Sequence, residues 1–452
     1  MPKENYSSRV YYTLVGNLFR SILSFSSSML IARALEPDDY GRYTFLIGTF
    51  IAFKQFIDFS SSSAFFTFLS KKIRSIKFIK NYWFYVFLQI LIPLILIAFI
   101  FPAKWLNYLW AGESKSLIIL ALISVFFQTT VWPISVQMAE SLRKTFYVQI
   151  VNVLLVFFHF CIILGLWFYG LLAIPFLFSL IAIEWLIASL FLLNIFKSNY
   201  KKEYIDNNKV DTNKSIFIEF WIYCGPFIPY AVFNFIHEFG EKWMLQSWGG
   251  SVEQAYFGVA AQISSVILLA TTSIIRVFWK EISEANANEN FLKVKEMYTV
   301  ATKVLFFISI LVSVTLIPWS EEIISILLGD AYLPGSLTLT IMLLYPIHQS
   351  LGQINGTIFY ATESTRDYVI GNIIFLIISL ISTYYVLAPT DFIIPGLNLG
   401  SVGVALKLVL LQLIQANIFS WYIYKKFKSK YDFIFQIYWI IYSLLFMFIS
   451  YS

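Results

Sequence analysis

Residues 116–143 read SLIILALISVFFQTTVWPISVQMAESLR, and the part up to Ala139 carries no charged side chain. A helix rises about 1.5 Å per residue, so about 20 apolar residues cross a hydrocarbon core of about 30 Å. The stretch is long enough to do so. It is also too long and too uniformly apolar for a strand of a membrane barrel. The segment therefore predicts a membrane-spanning helix.

Similar stretches follow one another along the whole chain. The 452 residues are 59% hydrophobic and 13% charged, whereas about 25% of the residues in a soluble domain are charged. The composition therefore predicts an all-α, polytopic membrane protein. The candidate spans lie near residues 11–32, 43–69, 81–102, 116–139, 147–169, 171–196, 216–241, 255–280, 297–319, 333–361, 367–388, 400–424 and 433–450.

An internal repeat indicates how these spans are grouped. Glu140–Arg143, after the fourth span, recurs as Glu363–Arg366 after the tenth, and Asn152 and Asn372 follow in the next spans. Because the offset is six helices, the two halves have the same orientation and form parallel repeats. We expect two six-helix lobes related by a pseudo-twofold axis, hence twelve core helices and a thirteenth.

The repeat also predicts the domain organisation. Two lobes enclose a cleft near the bilayer midplane that can open to either side, which is the architecture of a transporter. The predicted parts are an N-terminal lobe at 1–196, a cytoplasmic linker at 197–215, a C-terminal lobe at 216–427 and an additional hydrophobic helix at 428–452.

The basic residues predict the orientation of the chain. With the N-terminus inside, twenty-three of the 32 Lys and Arg residues fall in cytoplasmic segments, five fall outside and four lie within spans. Cytoplasmic loops accumulate such residues, so the N-terminus is expected in the cytoplasm. This asymmetry and anionic lipid heads account for the net charge of +6, and we expect no nucleic-acid partner.

Polar residues within the first two spans are candidates for substrate binding. Asn17, Arg20 and Ser24 repeat at helical spacing and form one stripe. Lys54 and Asp58 lie four residues apart in the second span. Charge inside a membrane usually faces a cavity or a partner, and guanidinium groups bind phosphate oxygens in pairs. Lys54 and Asp58 could also simply neutralise each other.

Further candidates lie in later spans. Gln262 and Arg276 share a face of the eighth span, although Arg276 could instead snorkel to the cytoplasm. His237 and Glu238 in the seventh span, and Glu184, alone in the sixth, are candidate coupling or cavity residues together with Asp58.

Two other residues have structural interpretations. Lys407, early in the twelfth span, is expected to snorkel outward. His159 has no neighbours at metal-ligand spacing and is expected to be a hydrogen-bonded core histidine. We expect no metal site.

Residues Ile31–Tyr43, IARALEPDDYGRY, resemble the N-terminal signature of bacterial polysaccharide flippases. These belong to the multidrug, oligosaccharidyl-lipid and polysaccharide exporter superfamily. The resemblance extends from residue 1 to about 427, through Tyr256–Gly258 and Gly400–Ala405. It implies a V-shaped alternating-access transporter that carries undecaprenyl-diphosphate-linked oligosaccharide from the cytoplasmic to the periplasmic leaflet, without a cofactor and without covalent chemistry.

The resemblance also implies site residues and partners. Arg20, Lys54 and Arg276 occupy places similar to cationic cavity positions of peptidoglycan-precursor flippases, with Lys54 where the pattern has Arg. That branch typically has fourteen helices, so a flippase for O-antigen (lipopolysaccharide) or capsule units fits better. The implied location is the bacterial inner membrane. The implied partners are the lipid-linked glycan, membrane lipid and polysaccharide-assembly membrane proteins.

Two other functions remain open at this point. A multidrug or organic-cation antiporter of the same superfamily would use carboxylates such as Glu238, Glu241 and Asp58. A membrane glycan polymerase or ligase would need a sizeable outer loop with catalytic groups. The outer loops are short and the sequence shows no catalytic triad or phosphate-binding glycine loop, so we expect a protein that is not an enzyme and has no catalytic residues.

Overall fold

The computed structural model describes residues 6–72, 74–204, 212–427 and 433–451. The described residues form helices joined by short loops, and no strand occurs among them. The all-α prediction is therefore confirmed. The helices of the first half are α1 Tyr6–Asp58, α2 Ser61–Lys71, α3 Ile76–Ile95, α4 Ala103–Leu109, α5 Lys115–Phe126, α6 Trp132–Ser141, α7 Thr145–Phe168, α8 Ile174–Tyr204, α9 Asn213–Cys224 and α10 Ile228–Met244.

The second half is also entirely helical where it is described. Its helices are α11 Ser251–Ala287, α12 Phe291–Leu316, α13 Ser320–Leu328, α14 Ser336–Met342, α15 Tyr345–Ala361, α16 Thr365–Leu387, α17 Gly400–Phe427 and α18 Phe433–Tyr451.

Each of the thirteen predicted spans has a helical counterpart. Ten helical segments of the described chain are long and apolar enough to cross a membrane. One of them, Val15–Asp58, covers most of the first predicted span and residues 43–58 of the second, whose remaining part lies in α2. The tenth predicted span is divided between α14 and α15, and the described apolar part of the thirteenth is shorter, at Phe433–Tyr442.

The two spans within α1 are separated by a break at Glu36. This residue has φ 58° and ψ 171°, outside the helical region, and Pro37 follows it. Proline disfavours a helical conformation in the residue before it and has no N–H to continue the helical ladder. Pro37 is well suited to the first turn of the second part, where that N–H would have no partner.

A second irregularity lies in the fourth span, where Phe127–Val131 form a π-helical turn between α5 and α6. Pro133 is the second residue of α6, and its ring conflicts with the carbonyl four residues before it. The wider turn accommodates this conflict and changes the direction of the side chains on it. Gln128 and Thr130 consequently point into two different cavities of the first half.

The chain divides into two compact units, Met1–Trp243 and Met244–Ser452. Unit 1 thus includes α9 and most of α10. Arg74, in the α2–α3 loop, is buried, forms an ion pair with Glu219 of α9 and stacks on the ring of Phe78. These contacts explain why α9 packs with the helices that precede the linker. The lobe boundaries expected at 196 and 216 stay a prediction.

Unit 2 contains the thirteenth predicted span as α18. Phe435 and Trp439 of this helix pack against Phe306 and Phe307 of α12. The opposite face of α18 is exposed at Ile434 and at other large apolar residues. Within residues 433–442, the helix therefore packs on α12 with one face and exposes another.

The internal repeat is visible in local structure, in a different register from the one suggested by sequence. Arg143 and Glu363 are the positive-φ residues of two matching three-residue loops, at φ 58° and 57°. In each loop the next residue donates its N–H to the carbonyl five residues back. The loops are 220 residues apart (363 minus 143), as are Asn152 and Asn372 (372 minus 152). The Glu-Ser-x-Arg match, offset by 223 from Glu140, is therefore displaced by three residues from the structural repeat.

Candidate functional site

The polar stripe on the first part of α1 leads to a cavity inside unit 1. Ser24, Ser27 and Ser28 line this cavity, whose volume is about 170 Å³. His159 of α7 and Glu184 of α8 line it as well. Three helices thus bring polar groups to one space within an otherwise apolar bundle, which is the arrangement expected where a polar ligand enters a membrane protein.

His159 and Glu184 form a pair that the sequence did not reveal. His159 Nδ1 lies 2.7 Å from Glu184 Oε2, and both side chains are largely buried. The other carboxylate oxygen, Oε1, is buried without a hydrogen-bond partner among the described residues. Glu184 is therefore paired with a residue of the neighbouring helix, and His159 is a hydrogen-bonded core histidine, as expected. The signal in sequence was only that each lies in an apolar run.

Arg20 lies on the same face of α1, about one helical turn before Ser24. Its side chain is half-buried, and it has no ion pair within the part of the chain that the structure describes. Asn17, a further turn back, accepts the hydroxyl of Ser21 at its carbonyl. Gly16 allows α1 to approach α7, since a Cβ there would lie 3.3 Å from Gln149 Oε1. The N-terminal end of the stripe therefore lies against α7.

Lys54 and Asp58 form the pair considered in the sequence interpretation, with Nζ 3.5 Å from Oδ2. Asp58 also caps the start of α2, because Oδ1 accepts from the backbone N–H of Ser62 at 3.2 Å. Its carboxylate accepts in addition from the hydroxyls of Ser61, at 2.8 Å, and of Ser62, at 2.7 Å. These contacts make Asp58 a structural residue. Lys54 keeps about a quarter of its side chain exposed.

Lys54 also borders a second, much smaller cavity. Its volume is about 20 Å³, enough for one water molecule, and Gln89 and Thr130 line it. Gln89 Nε2 and Thr130 Oγ1 are buried and lack partners among the described residues. Arg20 lines neither of these two cavities.

The seventh-span candidates form a charged cluster on α10. His237 Nδ1 lies 3.7 Å from Glu238 Oε1, and Lys242 Nζ lies 2.6 Å from Glu238 Oε2. Gly48 of α1 leaves room for the stem of Lys242, since a Cβ there would lie 2.5 Å from its Cδ. Glu238 is therefore paired with Lys242, whose stem packs against the second part of α1.

The remaining candidates belong to unit 2. Gln262 is partly buried on α11, where its carbonyl accepts the hydroxyl of Ser265. Arg276 lies on the same helix, and its side chain is outside the described residues. The prediction that Lys407 snorkels to the surface is wrong. Only 4% of this residue is exposed, and Nζ donates to Thr383 Oγ1 at 2.9 Å.

The charged residues of the Ile31–Tyr43 motif have a partner that sequence alone did not indicate. Arg42 donates from Nε and Nη2 to the two carboxylate oxygens of Glu113, at 2.7 and 2.9 Å, and from Nη1 to Asp39 at 2.9 Å. Glu113 is buried. The motif therefore ties the second part of α1 to the loop between α4 and α5.

Comparisons with known proteins agree with this architecture. No family model matches the chain. In sequence it is similar to the capsular polysaccharide biosynthesis protein CapF of Staphylococcus aureus, with 24% identity over 429 residues that cover 92% of this chain and 98% of CapF.

In structure the chain is similar to the lipid II flippase MurJ in an inward closed conformation. The TM-score is 0.69 at 20% identity, and the match covers 98% of this chain and 92% of MurJ. It is also similar to an inward-facing multidrug resistance MATE family transporter of the MOP superfamily, with a TM-score of 0.61 at 14% identity, over 90% of this chain and 94% of the transporter. The fold that the Ile31–Tyr43 resemblance implied is thus confirmed, and the chain is a multi-pass membrane protein with the fold of the lipid II flippase and of MOP-superfamily transporters.

Proposed function

We propose that this protein is a flippase for lipid-linked oligosaccharide, working by alternating access. The fold of a lipid II flippase and the full-length similarity to a capsular polysaccharide biosynthesis protein support this proposal. Alternating access needs a polar route through an apolar bundle, and the polar cavity of unit 1 provides part of such a route. A flippase breaks no covalent bond, so it needs no catalytic group.

The observation that carries the proposal is Arg20. It is a half-buried cation on a membrane-spanning helix, without an ion pair among the described residues, one turn from the cavity hydroxyls. A diphosphate offers a guanidinium several oxygens at the required spacing, and sugar hydroxyls can pair with serine hydroxyls and amides. Arg20 would hold the diphosphate, with Asn17 and Ser24 beside it.

The finer assignment follows from the same chemistry. We propose an undecaprenyl-diphosphate-linked O-antigen or capsule unit as the substrate, moved from the cytoplasmic to the periplasmic leaflet of the bacterial inner membrane. The N-terminus is cytoplasmic in this scheme, and polysaccharide-assembly membrane proteins supply and receive the glycan. Lys54, Gln262 and Arg276 are proposed as further substrate contacts.

A cation antiporter is the second candidate, and Glu184 is the observation that favours it. Its unpartnered Oε1 and its position in a polar cavity suit a bound cation. Glu238 and Asp58, the carboxylates that we expected to serve an antiporter, are engaged by Lys242 and by the start of α2. They therefore support this function less than the sequence interpretation implied.

The two functions are separated by transport in proteoliposomes. A fluorescent undecaprenyl-diphosphate glycan is followed by its accessibility to a membrane-impermeant quencher. Arg20→Ala should slow translocation about tenfold to a hundredfold, since a charge-assisted hydrogen bond contributes about 1.5 to 3 kcal/mol. Arg20→Lys should fall between Arg20→Ala and the wild type.

Arg33→Ala is the matched control, because Arg33 is an exposed arginine on the same helix. Equal rates for Arg20→Ala and Arg33→Ala would contradict the role of Arg20. If the wild type moves no glycan but exchanges a lipophilic cation such as ethidium, and Glu184→Gln abolishes that exchange, the antiporter is the correct function.

A further inference from the structure

One loop of unit 2 presents apolar side chains that no other part of the described chain covers. The loop joins α16 to α17 and comprises residues 388–399. At its tip Phe392, Ile393 and Ile394 follow one another and are exposed, and Ile393 is exposed completely. Leu397, further along the loop, is exposed as well. Because burial of apolar surface away from water is favourable, a tip of this composition fits an apolar partner.

Backbone contacts fold this loop back onto the last turn of α16. The N–H of Leu397 donates to the carbonyl of Tyr385 at 2.8 Å, and the N–H of Leu399 donates to that of Val386 at 2.9 Å. Gly396 passes so close to the end of α16 that a side chain there would collide with the helix backbone. None of these contacts uses an exposed apolar side chain. The side chains of the tip are therefore left to meet whatever surrounds the protein.

The tip lies at the level where a membrane surface is expected. The 23 residues of α16 extend over about 34 Å, slightly more than a hydrocarbon core of about 30 Å. Tyr384, in the last turn of α16, donates its hydroxyl to the carbonyl of Ile394 at 2.8 Å. Trp248 packs edge-on against both Tyr384 and Phe392. Tryptophan and tyrosine concentrate at membrane–water interfaces, so this cluster and the tip beside it mark an interface.

The exposed face of α16 leads to the same tip. This helix is long and apolar enough to cross a membrane, and only a small share of its span is buried within the protein. Its large exposed side chains recur every three or four positions, so they share one face that meets acyl chains. They are Ile370, Ile374, Ile377, Ile378, Ile381 and Tyr385. Since the carbonyl of Tyr385 also binds the loop, the tip continues a surface whose partner is lipid.

We propose that the loop at 388–399 is a membrane-interface anchor. Phe392, Ile393 and Ile394 insert about 5 to 10 Å into the leaflet at which α16 ends, and Asp391 stays among the headgroups. The loop has this one carboxylate and no basic residue, so apolar area and not charge attraction drives the insertion. The anchor fixes the depth of this end of unit 2, whatever the protein transports.

The test is depth-dependent fluorescence quenching with the full-length protein in phosphatidylcholine nanodiscs. An environment-sensitive NBD label is attached at Ile393→Cys in a Cys161→Ser background, where the remaining Cys224 is buried. We expect quenching by lipids that carry a spin label just below the headgroup, and protection from aqueous iodide. The depth obtained from two spin-label positions should be about 5 to 10 Å.

Labels at other positions provide the controls. Ile381→Cys, on the exposed face of α16, should be quenched most by a spin label near the bilayer centre. Asn288→Cys, in the exposed polar turn between α11 and α12, should be quenched by iodide and not by spin-labelled lipid. Leu397→Cys gives a second, independent reading of the loop and should also be shielded from iodide. If Ile393→Cys and Leu397→Cys both behave like Asn288→Cys, the proposal is overturned and the tip is a surface for a protein partner.

A charge on the tip tests what drives the insertion. With the label at Ile394→Cys, adding Ile393→Asp should raise iodide quenching several-fold, whereas adding Ile393→Leu should leave it unchanged. Equal quenching in all three proteins would show that apolar area does not hold the tip in lipid. The depth should also be the same in phosphatidylcholine and in anionic phosphatidylglycerol nanodiscs. Insertion in anionic lipid alone would contradict an anchor driven by apolar area.

Discussion

Breaking the contact between Arg42 and Glu113 should lower the free energy of unfolding of unit 1. The burial and geometry of the pair set the expected size of this loss. Two short, parallel hydrogen bonds join the groups, and Glu113 is 6% exposed. Removing one partner of a buried ion pair costs about 3 to 5 kcal/mol. The side chain of Arg42 is 37% exposed, so water screens part of the interaction. We therefore expect Arg42→Met to cost about 2 to 3 kcal/mol.

Replacing Arg42 by lysine should cost less. Lysine keeps the charge and loses the paired geometry with Glu113, so we expect about 1 to 2 kcal/mol. At about 2 to 4 °C per kcal/mol for a unit of this size, Arg42→Met should lower the Tm by roughly 4 to 12 °C. Arg42→Met/Glu113→Gln should be more stable than Arg42→Met alone, because it leaves no uncompensated carboxylate.

The cysteines provide the assay. Cys224 is buried and Cys161 is exposed. In a Cys161→Ser background, reaction of a fluorogenic thiol reagent with Cys224 reports unfolding of unit 1 in detergent. Midpoints of Arg42→Met, Arg42→Lys and the wild type that agree within about 1 °C would refute the reasoning, since a pair worth less than about 0.5 kcal/mol would behave as a surface contact.

Three further predictions follow from buried polar contacts. Glu184→Gln should abolish any cation exchange and leave glycan translocation by the wild-type mechanism intact, as measured in proteoliposomes; loss of both would mean that the His159–Glu184 pair is needed for the fold. Asp58→Ala should lower the free energy of unfolding of unit 1 by the contribution of a helix cap, about 1 kcal/mol, and Asp58→Asn should recover part of this loss; the thermal midpoint of unit 1 measures both. Asn355→Leu should destabilise unit 2 by more than about 2 kcal/mol, because Asn355 is fully buried and bonds to Tyr298 and to the Ala416 carbonyl; a thermal shift no larger than that of an exposed substitution would contradict this.

The helices could be predicted from sequence, whereas the breaks between them could not. Apolar runs of about 20 residues are sufficient to indicate spans, and each predicted span has a helical counterpart, although several are divided between two helices. The two spans within α1 are separated by a single non-helical residue, Glu36, and no glycine marks this position in the sequence. The π-helical turn before Pro133 was equally hidden, because a proline in a membrane helix permits several local responses.

The sequence indicated the polar residues that share one face of a single helix, but it did not indicate the contacts that join two helices. The stripe through Asn17, Arg20 and Ser24 depends only on helical periodicity, and it does lead to a cavity. The His159–Glu184 contact joins two helices whose relative rotation no periodicity determines. The same limit applies to Arg42 and Glu113, which are 71 residues apart.

Arg20 and Lys407 show why a cation within an apolar run has to be judged by its surroundings. Either residue costs about 2.5 to 3.5 kcal/mol at the centre of a membrane, and that cost says only that something compensates it. For Lys407 the compensation is internal, through Thr383, so the residue contributes to the fold of unit 2 and is closed to substrate. For Arg20 no ion pair is found among the described residues, and under the proposed function the substrate would supply the anion. A diphosphate headgroup is an anion that a lipid-linked glycan carries with it. Substitution at Arg20 should therefore change substrate binding more than stability, and substitution at Lys407 should do the reverse.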